Sequence, residues 1–247
     1  LTSVPCQGGV KLALRLLDPQ QVQRRLQDLG LSTANLRLLR RWTGEAGGMC
    51  LITGPTGCGK TTTLYALLHE MELSGHAVVT IEDPIEYVHE NLRAIIVQQE
   101  VLSDTHSFDR ALVHVLRQDP DVIVVGEMRE HEAISAALTA AETGHLVLAT
   151  MHSPNVMHAF ERITGVFEGS LQRQIVMQLA NSLQGIIAQD LLPSVDRSRR
   201  VLAYEVLIAT NAVRNLIREN NKHMLDTAMQ TGGKEGMVLM DACLHDL

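Results

Sequence analysis

Residues 49–61 read MCLITGPTGCGKT, an apolar run followed at once by a glycine-rich turn that ends on Lys60 and Thr61. The run at 49–53 is short, aliphatic and bounded by glycine, which predicts a buried strand. Residues 60–73 space their leucines at intervals of three or four, which predicts a helix. A strand that turns tightly into a helix is typical of an α/β fold with a parallel sheet.

The chain beyond this turn alternates between strand and helix patterns. Short apolar runs predict strands at 77–81, 94–97, 122–125 and 146–150, and later strands at 185–192 and 200–207. Helical spacing predicts helices at 108–117, N-capped by Ser107, at 130–142, ended by Gly144, and at 211–219. We therefore expect an α/β fold with a mainly parallel sheet, helices on both faces and a mostly helical part beyond residue 155.

The first 48 residues carry a different pattern. Residues 10–17 predict a strand that ends at Asp18-Pro19, and residues 20–41 show helical spacing in two short pieces. Three glycines between 44 and 48 then predict a flexible joint, which is a candidate hinge. The expected division is a unit at 1–18, a linker at 19–48 and a main domain at 49–247.

The composition is that of a globular protein with an aliphatic core. Of 247 residues, 45% are hydrophobic and only 3% aromatic, which suits parallel strands buried on both faces. A net charge of −7 argues against nucleic acid as the main partner. No two of the four cysteines form a C-x-x-C pair, so we predict no zinc site, and the pattern suits a reducing cytoplasm. No apolar run reaches the roughly 20 residues that cross a bilayer, so we predict no integral membrane segment.

The turn Gly54–Thr61, GPTGCGKT, has the spacing of a phosphate-binding loop. Its glycines let backbone N–H groups face a phosphate, and the helix that follows adds a partial positive charge. Lys60 is predicted to reach the β- and γ-phosphates of ATP, and Thr61 to offer its hydroxyl to Mg²⁺. The predicted ATP-binding residues are Gly54, Pro55, Thr56, Gly57, Cys58, Gly59, Lys60, Thr61 and Thr62. A glycine-rich turn that matches by chance is the alternative.

Two polar side chains follow predicted strands at the edge where open α/β sheets bind their ligands. Glu127 comes after 122–125 and is predicted to orient or deprotonate a water molecule, or to contact Mg²⁺ through water; a surface pair with Arg129 is the alternative. His152 comes after 146–150 and is predicted to donate to a γ-phosphate oxygen; a structural hydrogen bond is the alternative. A zinc role for this histidine is not indicated, because no partner stands at ligand spacing.

An acidic cluster, Glu82, Asp83 and Glu86, follows the predicted strand 77–81. Three carboxylates so close together repel one another unless a cation or solvent relieves them. Mg²⁺ is one interpretation, and a solvated turn with capping acids is the other.

Four segments, in this order, resemble the motifs of the secretion ATPase superfamily of type II secretion and type IV pili: GPTGCGKTTTLYALL, TIEDPIEYVHE, LRQDPDVIVVGEMRE and LTAAETGHLVLATMHS. The family calls them the Walker A, Asp box, Walker B and His box. The resemblance implies that Glu127 is the catalytic Glu and that Glu82 and Glu86 are the Asp-box acids, associated with Mg²⁺. It also implies that His145 and His152 are the His-box pair.

The same resemblance implies a RecA-like P-loop ATPase that hydrolyses ATP with Mg²⁺ as a hexameric ring. Its implied partner is an inner-membrane pilus platform protein, and its implied location is the cytoplasm, peripherally at the inner membrane. No nucleic acid is expected as a partner.

Two segments bear on the branch of the family. Residues 212–219, AVRNLIRE, resemble the pilus retraction (PilT-like) branch of twitching motility, and Arg214 and Arg218 are candidates for coupling hydrolysis to force. The first 45 residues resemble the end of an N-terminal domain in the export and assembly (GspE- and PilB-like) branches, so 1–18 is interpreted as the remnant of that domain. Arg15 is a candidate, by position, for the arginine that reaches a neighbouring subunit's nucleotide.

The resemblance therefore favours a motor for pilus retraction. A pilus assembly or type II secretion ATPase is the alternative within the same class. A DNA-translocating or conjugation-type traffic ATPase is the alternative from another class.

Overall fold

A seven-stranded sheet forms the centre of the protein, beside a small two-stranded sheet. The computed structural model describes residues 2–6, 9–13, 24–71, 75–89, 91 and 93–247. The small sheet pairs β1 (Thr2–Cys6) with β2 (Gly9–Ala13) antiparallel. The large sheet contains β3 (Gly48–Thr53), β4 (Ala77–Glu82), β5 (Ile95–Glu100), β6 (Val122–Val125), β7 (Leu146–Met151), β8 (Leu183–Pro193) and β9 (Arg200–Ile208).

The strands of the large sheet follow the order β5-β4-β6-β7-β3-β8-β9. The described pairs from β5 to β8 are all parallel, and β8 and β9 pair antiparallel. The carboxyl ends of β3, β4, β6, β7 and β8 therefore meet at one edge of the sheet, together with the start of β9. The predicted fold class, α/β with a mainly parallel sheet, is confirmed.

Helices connect these strands and form most of the chain beyond β9. They are α1 (Thr33–Thr43), α2 (Lys60–Met71), α3 (Phe108–Val115), α4 (His131–Glu142), α5 (Val156–Gly165), α6 (Gly169–Ser182), α7 (Asn211–Arg218), α8 (Lys222–Thr231) and α9 (Met240–Asp246), with 3-10 turns at Leu26–Asp28 and Gly232–Glu235. Every residue of β3, β6 and β7 is buried, so both faces of the central strands are covered. Among the described helices, none is long and apolar enough to cross a membrane.

Of the two helix ends predicted from single residues, the one at Gly144 agrees with the structure and the cap at Ser107 does not. Gly144 has a φ of +101°, the left-handed conformation that ends a helix, as predicted. Ser107 stands directly before α3, but its side chain makes no cap hydrogen bond with the backbone. Its hydroxyl bonds the carboxylate of Asp109 instead and lowers the pKa of that group. The prediction that the Ser107 hydroxyl caps this helix was wrong.

The segment before β3 packs against the large sheet through α1. Ser32 caps this helix by accepting from the backbone N–H of Asn35. The ring of Trp42 is 2% exposed and lies over Gly185 of β8, where a Cβ atom would overlap it. Arg40 forms a two-pronged ion pair with Glu70 of α2. These contacts tie α1 to both the sheet and the helix after the glycine-rich turn.

Two glycines of the predicted joint, Gly47 and Gly48, lie in close-packed surroundings, whereas Gly44 is exposed. The Gly48 N–H donates to His145 O at 3.0 Å, and the Gln184 side chain donates to Gly47 O at 3.0 Å. A hinge at residues 44–48 stays a prediction, and a motion there would have to break these contacts. The division of the chain at residues 18 and 48 also stays a prediction. Only the first part of the predicted strand 10–17 falls on described residues, within β2, and Arg15 lies outside them.

Candidate functional site

The phosphate-binding loop lies between β3 and α2, pressed against β8. Gly54, Gly57 and Gly59 have φ values of +145°, +81° and +91°, which residues with a side chain rarely adopt. A Cβ atom at Gly54 would overlap the carbonyl oxygen of Gln189 and lie 2.5 Å from the Cys58 Sγ. Only glycine allows this approach, and it brings the loop down onto the sheet so that the amino end of α2 faces the cleft.

Lys60, the first residue of α2, points back into the loop. Its Nζ donates to Gly54 O at 2.8 Å and to Pro55 O at 2.9 Å, and lies 3.3 Å from His152 Nδ1. The side chain is only 7% exposed. Burial lowers the pKa of Lys60, and the charge of Glu127 acts in the opposite direction. The ammonium is thus held at the centre of the loop, where a phosphate would sit.

Glu127 stands between two cationic or hydrogen-bonding partners. Its Oε2 lies 2.7 Å from the Arg129 guanidinium and its Oε1 lies 3.2 Å from His152 Nε2. Burial raises the pKa of Glu127, but the Arg129 hydrogen bond and the charges of Arg129 and Lys60 act against burial, and the pKa lies below its ordinary value. The carboxylate is therefore anionic at neutral pH. The ion pair with Arg129 that we weighed as an alternative is present, inside the cleft.

His152 joins Lys60 to Glu127. Burial, and then the charge of Lys60, lower the pKa of His152 below its ordinary value, with Glu127 acting in the opposite direction. A neutral imidazole with its proton on Nε2 satisfies both contacts, because Nδ1 then accepts from the Lys60 ammonium and Nε2 donates to Glu127. The backbone beside it is fixed by Thr53 at the end of β3, which exchanges hydrogen bonds with Ser153.

The three carboxylates of the acidic cluster after β4 differ in their exposure to solvent. Glu82 is 4% exposed, and its carboxylate accepts from Tyr65, from Thr80 at 2.6 Å and from Gln98 at 3.1 Å. Asp83 is exposed, and Glu86 is half-buried. The expected repulsion among the three is thus relieved in this structure by hydrogen-bond donors to one carboxylate and solvent around another.

These side chains surround one cleft of about 450 Å³, the size of a small-molecule site. The predicted residues that line it are Thr56, Gly57, Gly59, Lys60, Thr61, Thr62, Glu82, Glu86, Glu127 and His152. Gly54, Pro55 and Cys58 belong to the loop behind this lining. Cys58 is 2% exposed, and burial raises the pKa of its thiol, so it packs beneath the loop as a neutral group.

Comparison with known proteins places the chain in one family. The family described as "Type II/IV secretion system protein" matches residues 1–234. The chain belongs to this family. The predicted membership of the secretion ATPase superfamily is thereby confirmed.

Relatives of this secretion-family chain include pilus proteins. It is 43% identical over 223 residues to the type IV pilus retractation ATPase PilT of Pseudomonas aeruginosa, covering 90% of this chain and 63% of the relative. It is 43% identical over 233 residues to the twitching motility protein of Neisseria gonorrhoeae, covering 93% and 62%. The crystal structure of the pilus retraction motor PilT with bound ADP matches with a TM-score of 0.80 at 37% identity, covering 98% of this chain and 72% of that chain. The chain thus spans less than two thirds of the length of the first two relatives.

His145, the other member of the predicted His-box pair, lies away from the cleft. His145 precedes β7 at the end opposite His152, and its Nδ1 lies 3.1 Å from Ala140 O at the end of α4. The His-box pair therefore brackets the strand, and only His152 enters the cleft. Arg15 lies outside the described residues, so the structure places no trans arginine.

The two arginines of α7 have different surroundings. Arg214 is half-buried and donates to Ala209 O, Ala180 O and Asn181 O at 2.8–3.0 Å, which fastens α7 to the carboxyl end of α6. Arg218 is exposed and contacts the side-chain oxygens of Asn215 and Asn181. Of the two, Arg218 is the one on the surface.

Several residues that line the cleft were missed or underrated in the sequence analysis, among them Tyr65, Arg129, Leu191 and Arg200. Tyr65 lies one helical turn beyond Thr61 and so on the same face of α2, a spacing from which its place in the cleft could have been predicted. Leu191 and Arg200 come from the tip of the β8–β9 hairpin, where Arg200 donates to Gly57 O at 3.3 Å. No local pattern signals that contact, because it depends on the pairing of β8 with β3.

The described residues hold no group of three His, Cys, Asp or Glu side chains arranged for a metal ion. Magnesium in nucleotide sites is instead held by one or two protein oxygens, the phosphates and water. The hydroxyl of Thr61 and the carboxylates of Glu127, Glu86 and Glu82 around the cleft are hard oxygen donors of that kind. The donor chemistry of this family member therefore fits Mg²⁺ bound together with a nucleotide.

Proposed function

We propose that this chain is the motor domain of an ATP-hydrolysing machine that retracts type IV pili. The observation that carries the proposal is the contact of Lys60, His152 and Glu127 in one cleft at the phosphate-binding loop. The likeness to the retractation ATPase of Pseudomonas aeruginosa and to the PilT structure with ADP supports the choice of substrate and process.

When the loop binds the phosphates of a nucleotide, Lys60 exchanges its present hydrogen-bond acceptors for phosphate oxygens. The amide groups of the loop and the amino end of α2 attract the negative charge of the nucleotide. Lys60, which now donates to Gly54 O and Pro55 O, turns its donors to phosphate oxygens. Mg²⁺, when bound, supplies further charge neutralisation, and Thr61 with the acids around the cleft would hold it.

Glu127 supports hydrolysis by preparing the attacking water. Its low pKa keeps the carboxylate ionised, so it can accept a hydrogen bond from water and orient it. To do so it has to exchange at least one of its contacts with Arg129 and His152. We infer that His152 exchanges its contact with Glu127 for a γ-phosphate oxygen, to which its Nε2 donates, and so distinguishes ATP from ADP.

The motor role adds partners that the site alone does not contain. The proposal includes a hexamer of this chain, an arginine such as Arg15 from a neighbouring subunit, and contact with an inner-membrane platform protein. It places the protein in the cytoplasm at that membrane. The surface position of Arg218 supports it as a coupling residue.

Substitutions in the cleft test the enzymatic part. Lys60→Ala should lower Mg²⁺-dependent phosphate release by about 100-fold or more, because it removes a charge that stabilises the transition state. Glu127→Gln should still bind ATP with wild-type affinity but turn it over at a similarly reduced rate. Phosphate release and equilibrium binding of a fluorescent ATP analogue measure the two effects. Unchanged turnover in either variant would remove that residue from its role.

Deletion of the gene tests the process. Cells that become hyperpiliated and lose twitching motility support retraction, whereas cells without pili indicate assembly, and normal pili with failed export indicate type II secretion. A DNA-translocating ATPase would instead show hydrolysis that rises with added DNA and salt-sensitive DNA binding.

A further inference from the structure

Tyr65 connects the helix after the phosphate loop to the acidic segment on the other side of the cleft. It lies on α2, one turn after Thr61, and is 2% exposed. Its hydroxyl donates to Glu82 Oε2 and accepts from the backbone N–H of Glu86 at 3.2 Å. One hydroxyl thus holds both ends of the segment 82–86, which forms a wall of the cleft.

The other donors to Glu82 come from the sheet. Thr80 belongs to β4, as Glu82 itself does, and Gln98 belongs to the neighbouring β5. Gln98 also donates to Tyr87 O at 2.9 Å and accepts from the His89 N–H at 2.8 Å. These contacts fix the acidic segment to the sheet, whereas Tyr65 fixes it to the helix whose first turn carries Lys60 and Thr61.

The surroundings of Tyr65 keep its hydroxyl a donor. Burial, and then the charge of Glu82, raise the pKa of Tyr65 well above its ordinary value, so the phenol stays protonated. Its ring meets the His89 ring edge-on, with centroids 5.0 Å apart. The ring is therefore held by packing, and the hydroxyl by hydrogen bonds.

We propose that Tyr65 is a positioning residue for hydrolysis, whose hydroxyl sets the distance between the acidic segment 82–86 and the first turn of α2. A nucleotide that contacts Lys60 and Thr61 on one side meets Glu82 and Glu86 on the other, so this distance decides whether both sides engage the phosphates together. The inference rests on the proposed hydrolysis of ATP and adds a residue to it.

Tyr65→Phe tests the inference because it keeps the ring against His89 and removes only the hydroxyl. We expect turnover to fall roughly tenfold, the loss expected when one hydrogen bond to a charged group no longer holds its partner in place. Binding of a fluorescent ATP analogue should stay within about twofold of wild type, because the loop and Lys60 are unchanged. Both are measured in the full-length protein as kcat and as the equilibrium Kd.

Tyr204→Phe is the matched control. Tyr204 is a second buried tyrosine, and its hydroxyl accepts from the Ser32 N–H at 3.1 Å, away from the cleft. We expect it to lower the melting temperature by a similar amount and to leave kcat unchanged. A fall of kcat in both variants in proportion to the melting temperature would mean that Tyr65 acts through stability alone, which overturns the inference.

Thr80→Val tests whether the loss of any hydrogen-bond donor to Glu82 lowers kcat, or only the loss of the donor that comes from α2. It removes one donor to the carboxylate from the sheet side and leaves Tyr65 in place. We expect a smaller loss of kcat than in Tyr65→Phe, and an equal loss would overturn the positioning role. A wild-type kcat in Tyr65→Phe would reject the inference and leave the proposed function standing, whereas no hydrolysis by the unaltered protein would reject both.

Discussion

Lys60, His152 and Glu127 form a short chain of contacts in which each group sets the protonation of the next. Burial and then the charge of Lys60 lower the pKa of His152, His152 donates to Glu127, and the positive charges around Glu127 keep it ionised. Lys60 opens α2, whereas Glu127 and His152 follow the ends of β6 and β7, yet their side chains meet within hydrogen-bonding distance. At the scale of single residues, the site is therefore one coupled unit, and a change of protonation in one member affects all three.

This coupling predicts loss of stability in acid. The folded-state pKa of His152 lies below its ordinary value of 6.5, so its contribution to stability is present above pH 6.5 and is lost as the pH falls through the folded-state value. Glu127 acts in the same direction below its ordinary 4.5. We expect the unfolding free energy to fall between pH 7.5 and 5.5 by more in wild type than in His152→Gln. Urea denaturation at the two pH values measures this, and equal falls in both proteins would contradict it.

At the scale of elements, a close contact between Trp42 and Gly185 attaches α1 to the sheet. The backbone of β8 has no side chain at this point, and the indole fills the space. The Arg40–Glu70 pair joins the same helix to α2. The segment that precedes β3 is therefore packed onto the large sheet and α2 through aromatic burial and an ion pair.

Gly185→Ala tests this packing. The added Cβ would overlap the Trp42 ring and lie 2.6 Å from Leu207 O, so we expect a loss of about 1–3 kcal/mol in the unfolding free energy. Trp42 is the one tryptophan of the chain, so its fluorescence should shift as the ring is displaced. Gly165→Ala is the control, since a Cβ there meets nothing within 4 Å. An unshifted spectrum with unchanged stability would show that the ring yields without cost.

Local patterns predicted the elements well because they depend on neighbours in the chain. The strands at 77–81 and 146–150 end within one residue of the prediction, since burial on both faces selects continuous aliphatic runs. Ser107 failed as a cap because Asp109 competes for its hydroxyl. The contact of Tyr65 with Glu82, and the approach of Arg200 to Gly57, require the order of strands in the sheet, which no local pattern contains.

At the scale of the whole molecule, catalytic and mechanical candidates lie in different places. The cleft gathers the loop, the acidic segment, Glu127 and His152 at the carboxyl edge of the sheet. The proposed coupling helix α7 is instead fastened to the end of α6 by Arg214. We therefore expect substitutions on α7 to alter the proposed coupling without changing the cleft, provided that they leave this fastening intact.

The two arginines of α7 should behave differently. Arg214→Ala leaves three carbonyl groups without their donor, and we expect a loss of about 1–3 kcal/mol in stability. Arg218→Ala should change stability by no more than about 0.5 kcal/mol, as is usual at exposed positions. We expect Arg218→Ala to hydrolyse ATP at the wild-type rate and to abolish twitching. Chemical denaturation, phosphate release and a motility assay measure these, and normal twitching would reject Arg218 as a coupling residue.

The close packing of the phosphate-binding loop against β8 limits which substitutions its glycines tolerate. At position 54 any side chain meets the Gln189 carbonyl, so every substitution displaces the loop from the sheet. A Cβ atom at position 57 meets nothing within 4 Å, so the left-handed backbone is the steric obstacle to a change there, and Asn or Asp tolerates that conformation best. The two glycines of this motif are thus constrained to different degrees. Some substitutions at position 57 leave the loop on the sheet, whereas every substitution at position 54 displaces it.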